Sequence, residues 1–187
     1  MMRNHIAIAT LAAVLGLAGA SPAQAVLAVG TKAPDFTTRG ARNGQVFRLH
    51  LAEMLKKGPV VLYFFPAAFT KGCTAETREF AEKADEFTKA GASIIGMSND
   101  AVDTLARFSK EECRDKFPVA SAGPAIIQGY DVALPAMEGR PQMAGKTNRT
   151  SYVIAKSGRI AYVHSDLDYK DHVAGTLAAV KSIGGRK

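Results

Sequence analysis

The sequence predicts an α/β fold in which helices flank a central mixed β-sheet, and three observations predict it. Residues 60–65 (Val-Val-Leu-Tyr-Phe-Phe) form an apolar run without polar alternation, which suits a strand covered on both faces. Strand-like and helix-like stretches then alternate, with residues 60–65, a helix after Gly72, residues 93–97 and a second helix after Asn99. That order is a βαβ unit, so part of the sheet is parallel. Residues 151–154 and 160–163, joined through Lys156-Ser157-Gly158, read as a hairpin and supply an antiparallel part.

Taken in order, residues 1–25 read as a secretory signal peptide. Arg3 carries the charge, residues 6–18 form an apolar core too short to span a membrane as a mature helix, and Ala23-Gln24-Ala25 is a small-residue cleavage site. The alternative is an uncleaved anchor, which a run this short and Ala-rich suits poorly. Cleavage leaves residues 26–187 as one domain, long enough to bury a core. The expected destination is an exported compartment, with the bacterial periplasm as the leading case, and no stable membrane association after cleavage.

Residues 29–36 open the mature chain as an extended segment, because a residue before proline, here Ala33 before Pro34, is pushed away from helix. Asn43-Gly44 is a hairpin turn signal, and residues 50–57 are a short amphipathic helix candidate before Gly58-Pro59. Phe80, Ala84 and Phe87 recur at helical spacing, and Ala90-Gly91 ends that helix. Asn99 or Asp100 is expected to cap the next helix, running to about Cys113 with Val102, Leu105, Ser109 and Cys113 on one side. Residues 117–145 are rich in Pro and Gly and read as loops with a short helix around residues 125–130. Val173, Leu177 and Val180 mark a C-terminal helix before Gly184-Gly185.

The net charge of +7 falls by one when Arg3 is removed, and the remaining Lys and Arg are scattered rather than gathered with aromatic residues. This pattern is a solvated basic surface and excludes a nucleic-acid partner. His5, His50, His164 and His172 show no ligand spacing, so no metal is expected, and no cofactor is implied.

The chemistry concentrates at Cys73. The strand of residues 60–65 stops at Pro66, and a helix begins close to Cys73. A helix N-terminus favours an anion through its free N–H groups and dipole, which lowers a thiol's pKa. The order Pro66, Thr70, Cys73 is Pro-x-x-x-Thr-x-x-Cys. With Pro and Thr each about one residue in twenty, a given Cys acquires both by chance roughly once in four hundred.

This motif resembles the peroxidatic motif of the peroxiredoxins, and Phe65-Pro66-Ala67-Ala68-Phe69-Thr70-Lys71-Gly72-Cys73-Thr74-Ala75-Glu76 is most similar to the peroxiredoxin Q (bacterioferritin comigratory protein) subgroup. The resemblance covers nearly all the mature chain. It implies a thioredoxin-like fold and a thiol peroxidase acting on hydrogen peroxide or small organic hydroperoxides, reduced by a thioredoxin-like or other thiol, as a monomer or homodimer. Residue by residue, it implies that Cys73 attacks the peroxide, that Thr70 and the Cys73 N–H bond the peroxide oxygens, and that Pro66 shields the thiolate. It further matches Arg149, in Asn148-Arg149-Thr150-Ser151, to an arginine holding thiolate and peroxide, and Glu76 to an acid that orients it. An ordinary thiol is about 3 % ionised at pH 7 and one shifted to about 6 is about 90 % ionised, so activation gains only about thirtyfold and such donors must supply the rest.

Blander readings stand beside these. Thr70 serves as a helix-entry cap, Pro66 ends a strand in any protein, and Arg149 is a surface arginine. Many relatives carry a resolving cysteine five residues after the first, where this chain has Arg78. Others carry it near the position of Ser109, so Cys113, one helical turn later, is either a displaced resolving thiol or a core residue. Two other functions remain as alternatives: a thioredoxin-like thiol-disulfide oxidoreductase, weakened because no Cys-x-x-Cys is present, and a non-catalytic chaperone or binding module with a structural Cys73–Cys113 bridge.

Overall fold

The computed structural model describes residues 26–136 and 138–184; the export signal read over residues 1–25 lies outside the described residues. The fold is a thioredoxin-like α/β arrangement around a seven-stranded mixed sheet. The strands are β1 (Thr37–Arg42), β2 (Gln45–His50), β3 (Val60–Phe64), β4 (Ser93–Ser98), β5 (Val119–Ser121), β6 (Thr150–Ile154) and β7 (Ile160–Ser165). Their spatial order is β2-β1-β5-β4-β3-β6-β7. The helices are α1 (Leu51–Leu55), α2 (Lys71–Lys89), α3 (Val102–Glu111), α4 (Pro124–Gly129) and α5 (His172–Gly184).

Strand β3 shows why its sequence has no polar alternation. Val61, Tyr63 and Phe65 enter one core with Phe80, Phe87, Leu105, Phe108, Val173 and Val180, from α2, α3 and α5. Val60, Leu62 and Phe64 enter a second core with Leu51, Tyr130 and Tyr152 on the other face. All five residues of the strand are buried, so both faces select apolar side chains. It pairs parallel with β4 and antiparallel with β6, which makes the sheet mixed as expected.

The hairpin turn at Asn43-Gly44 is present, and both residues take positive φ (46° and 78°), the conformation that makes Asn-Gly a hairpin signal. Residues 160–165 return antiparallel to β6, also as expected. Among the described residues no helix is long and apolar enough to cross a membrane.

Four features differ from the sequence reading. Neither Asn99 nor Asp100 caps α3; the N-cap is Ala101, without a side-chain bond. The Asp100 carboxylate instead accepts from the Ala68 amide at 2.7 Å and the Ser98 hydroxyl at 2.8 Å, where a loop needs fixing more than the helix does. Helix α3 stops at Glu111, so Cys113 lies beyond it on a turn closed by Lys116 N–H to Cys113 O at 2.9 Å. Arg114 and Asp115, at φ 50° and 57°, cannot continue a right-handed helix. Residues 119–121 form β5, a strand too short to stand out beside Pro118, and α5 runs through Gly184.

Candidate active site

The site forms where β3 ends and α2 begins. Phe65 still donates its N–H to Met97 O at 2.9 Å, and Pro66, which lacks an N–H, ends the ladder there. The loop is then held from outside: Thr147 Oγ1 donates to Phe65 O at 2.6 Å and Asp100 receives the Ala68 amide. Phe69 sits at φ 63°, an uncommon place for a bulky residue. Its ring rests edge-on against Phe108 at 5.1 Å, with the Arg107 guanidinium 5.6 Å from its centroid.

Thr70 is the N-cap residue of α2, yet its hydroxyl caps nothing. It donates to Ala67 O at 2.9 Å, while Thr70 O accepts the first helical bond from Thr74 N–H at 2.9 Å. The cap-only reading of Thr70 is therefore overturned. Cys73 falls in the first turn, where N–H groups have no intrahelical partner. Its side chain is 1 % exposed.

Strand β6 delivers the opposite wall. The register Phe64↔Thr150 places Arg149 just before the strand, level with the end of β3, and Arg149 is 6 % exposed rather than a surface residue. Its guanidinium makes three contacts at once. Nη2 lies 3.5 Å from Cys73 Sγ, Nη1 donates to Glu76 Oε2, and Nε donates to Leu167 O at 2.9 Å. Glu76, one helical turn after Cys73, faces the same guanidinium. Burial pushes its carboxyl up to about 8, against the pull of Arg149.

Thus Pro66, Thr70, Cys73 and Arg149 converge on one cavity of about 290 Å³, and Glu76 stands behind it. Leu134, Met143 and Leu167 supply an apolar rim, and Arg140 a second cation. The sequence reading missed this rim because Leu134, Arg140 and Met143 lie in the Pro- and Gly-rich stretch. It also missed His172, whose ring lies under Glu76 with Nδ1 3.7 Å from Oε1. Nothing in its spacing distinguishes it from the other histidines.

Cys113 is fully buried in the same apolar cluster as Cys73, and burial pushes its thiol well up. Its turn is pinned on three sides. Arg78 Nε meets Glu112 Oε2 at 2.5 Å, Arg42 donates to Asp115 O at 2.8 Å, and Lys116 Nζ meets Asp85 at 3.0 Å. Both cysteines are free thiols. This geometry offers a buried sulfur beside a permanent cation and free helix amides, which is chemistry for a thiolate attacking a polarisable bond.

A family model described as the AhpC/TSA family matches residues 29–163. The chain is 29% identical over 156 residues to peroxiredoxin Bcp of Bacillus subtilis, covering 83% of this chain and 96% of that one. It is 29% identical over 155 residues to the chloroplastic peroxiredoxin Q of Oryza sativa subsp. japonica, covering 82% and 67%. The crystal structure of peroxidoxin BcpB from Mycobacterium tuberculosis superposes with a TM-score of 0.72 at 29% identity, over 83% of this chain and 97% of that one.

Proposed function

Since the chain belongs to the AhpC/TSA family and is a thiol-dependent peroxidase, we propose that Cys73 is the attacking thiolate and that its substrates are hydrogen peroxide and small organic hydroperoxides. The observation that carries this assignment is the 3.5 Å contact between Arg149 Nη2 and Cys73 Sγ in a cavity that Thr70 and Pro66 also line.

In this reading the Cys73 sulfur attacks the nearer peroxide oxygen and the O–O bond breaks. Sulfur is oxidised to a sulfenic acid, and the departing oxygen leaves with a proton as water or an alcohol. Arg149 and the Cys73 N–H stabilise charge as that bond lengthens, while the Thr70 oxygen, whose hydrogen goes to Ala67 O, accepts from the peroxide O–H and orients it. Pro66 and the apolar rim keep water away from the sulfur. Glu76 sets the orientation of Arg149.

Reduction of the sulfenic acid falls to an external thiol of the thioredoxin kind, releasing water and leaving a mixed disulfide that a second thiol reduces. The pinned turn and full burial of Cys113 favour this over an internal bond. Residues 1–25, read as a cleaved signal, make export to a compartment such as the bacterial periplasm part of the same proposal. The N-terminal sequence of protein recovered from that compartment tests it.

Intact mass of the reduced mature protein, before and after one equivalent of hydrogen peroxide, tests the chemistry. Gain of one oxygen on Cys73 supports this reading, and loss of two hydrogens moves Cys113 into the cycle. No change within seconds, or peroxide turnover surviving Cys73→Ser, overturns it.

A further inference from the structure

The cavity at Cys73 presents two sulfurs. Pro66, Thr70, Cys73 and Arg149 line it from the ends of β3 and β6 and the start of α2, and Met143 lines it from the rim with Leu134, Leu167 and Arg140. Of the methionines among the described residues, Met97 is fully buried on β4 and Met54 lies half-buried on α1. Met143, half-buried too, is the one that shares a cavity with the reacting thiol.

Backbone bonds hold it there. Met143 ends a short 3-10 turn, Pro141–Met143, and its N–H donates to Arg140 O at 3.0 Å, which keeps the two side chains on one turn. The segments on either side of that turn are laced together: Asn148 N–H donates to Val132 O and Leu134 N–H to Lys146 O, each at 2.7 Å, and Gly145 N–H donates to Leu134 O at 3.0 Å. Thr147 Oγ1 then ties the lace to Phe65 O at 2.6 Å. The rim is thus fixed to the same strand end that delivers Cys73.

A volume of about 290 Å³ is about ten times one water's share of the liquid, so an entering peroxide has room against either sulfur. A thiolate is the stronger nucleophile and takes the first equivalent. Once Cys73 is a sulfenic acid its sulfur has lost that charge, yet Arg149 and the Cys73 N–H still polarise the next peroxide to arrive. The soft, polarisable thioether of Met143 then meets an activated oxidant.

Resting on the peroxidase reading of this cavity, we propose that Met143 is a second oxidation site, converted to methionine sulfoxide by peroxide that arrives after Cys73 is spent. The thioether sulfur attacks the hydroxyl oxygen of the hydroperoxide, the O–O bond breaks, and sulfur gives up two electrons to become the sulfoxide. The other oxygen leaves as water or an alcohol with the proton of the oxygen attacked, so no further reactant is needed. Arg149 stabilises that departing oxygen, and Arg140, which only donates, can bond the new sulfoxide oxygen. Methionine sulfoxide is reversible by dedicated reductases, whereas a sulfinic acid on Cys73 resists ordinary thiols. Excess oxidant is thereby diverted from the thiol onto a repairable rim.

The test exposes reduced, mature Cys73→Ser protein to hydrogen peroxide and follows sulfoxide on the Met143 and Met54 peptides by mass. Met54 is the internal reference, because it is also half-buried but lines a different cavity. In folded protein Met143 should oxidise at least about tenfold faster than Met54, and in urea, where the donors disperse, the two rates should converge. Arg149→Lys in the same background should remove most of that advantage, a change that mere exposure of Met143 would not produce. In the parent, one equivalent should oxidise Cys73 and spare Met143, and further peroxide should then oxidise Met143 ahead of Met54. Equal rates in folded protein overturn the proposal, as does a ratio that Arg149→Lys leaves unchanged or that persists in urea. The two readings fail on different peptides: a parent whose Cys73 gains no oxygen fails the peroxidase reading, and one whose Cys73 does while Met143 only keeps pace with Met54 fails this one.

Discussion

Arg149 Nη2 stands 3.5 Å from Cys73 Sγ although 76 positions separate the two residues in the chain. The guanidinium is a fork: one arm serves the sulfur, the other Glu76, and Nε is fixed on Leu167 O. A lysine offers one point charge on a flexible stem and cannot make all three contacts. Arg149→Lys is therefore expected to lower kcat/KM for hydrogen peroxide by about two to three orders of magnitude, as loss of one preorganised donor typically does. Stopped-flow peroxide consumption measures it, and a loss below threefold refutes the role.

Cys113 provides the second prediction. With Arg78, Arg42 and Lys116 pinning its turn and neighbours, Cys113→Ser should leave the rate of Cys73 oxidation within about twofold of the parent, since nothing at the sulfur changes. Turnover with an external dithiol should persist. Stalling of the variant as a sulfenic acid under the same dithiol would instead identify Cys113 as the resolving residue.

The third concerns pH. Glu76 binds its proton more tightly folded, at about 8, than its ordinary value of 4.5, so between these values the folded state holds more protons. Its contribution to stability is full below 4.5 and is lost as pH rises toward 8. His172 does the opposite: lowered to about 4 from 6.5, it costs stability as pH falls through that window. Of these two groups only Glu76 titrates between pH 6.5 and 8, so its contribution should decline with rising pH there and Glu76→Gln should make stability fall less steeply than in the parent. Urea unfolding of reduced protein across this range reads both.

The fourth lies in the sheet. A Cβ on Gly96 would sit 2.7 Å from Tyr63 Oη and 2.9 Å from Val119 Cγ1, in a core without slack. Tyr63 Oη also bonds Thr77 Oγ1 at 3.0 Å, on α2 four residues after Cys73. Gly96→Ala should destabilise by about 1–3 kcal/mol. An unchanged urea midpoint would mean that Tyr63 moves freely.

What could be read from the chain followed from local signals strong enough to survive tertiary context. The uninterrupted apolar run of β3, the Asn43-Gly44 turn and the helical spacing of Phe80, Ala84 and Phe87 each specify an element almost alone. Strands β1 and β2 showed only through the turn between them, because at the sheet edge Val46 and Phe47 are exposed beside Gln45 and Arg48 and no clean alternation results. Strand β5 was hidden because three residues carry no period. Asp100 satisfied a capping pattern, but its carboxylate serves Ala68 and Ser98 in three dimensions. In the site, the Pro66, Thr70, Cys73 spacing exposed the near wall. Arg149 was reached through resemblance alone, and His172 through nothing short of the fold, because only the fold sets it beside Glu76.

The pairing of β3 with β6 decides more than shape. Arg149 reaches Cys73 only once Phe64 has met Thr150, a contact between segments far apart in the chain that carries its own loop-closure cost. Before that contact, the thiol has helix amides at most and lacks its cation. A chain still unfolded therefore carries an ordinary cysteine, protected from peroxide by its own incompleteness, and sensitivity to oxidant arrives together with the native sheet.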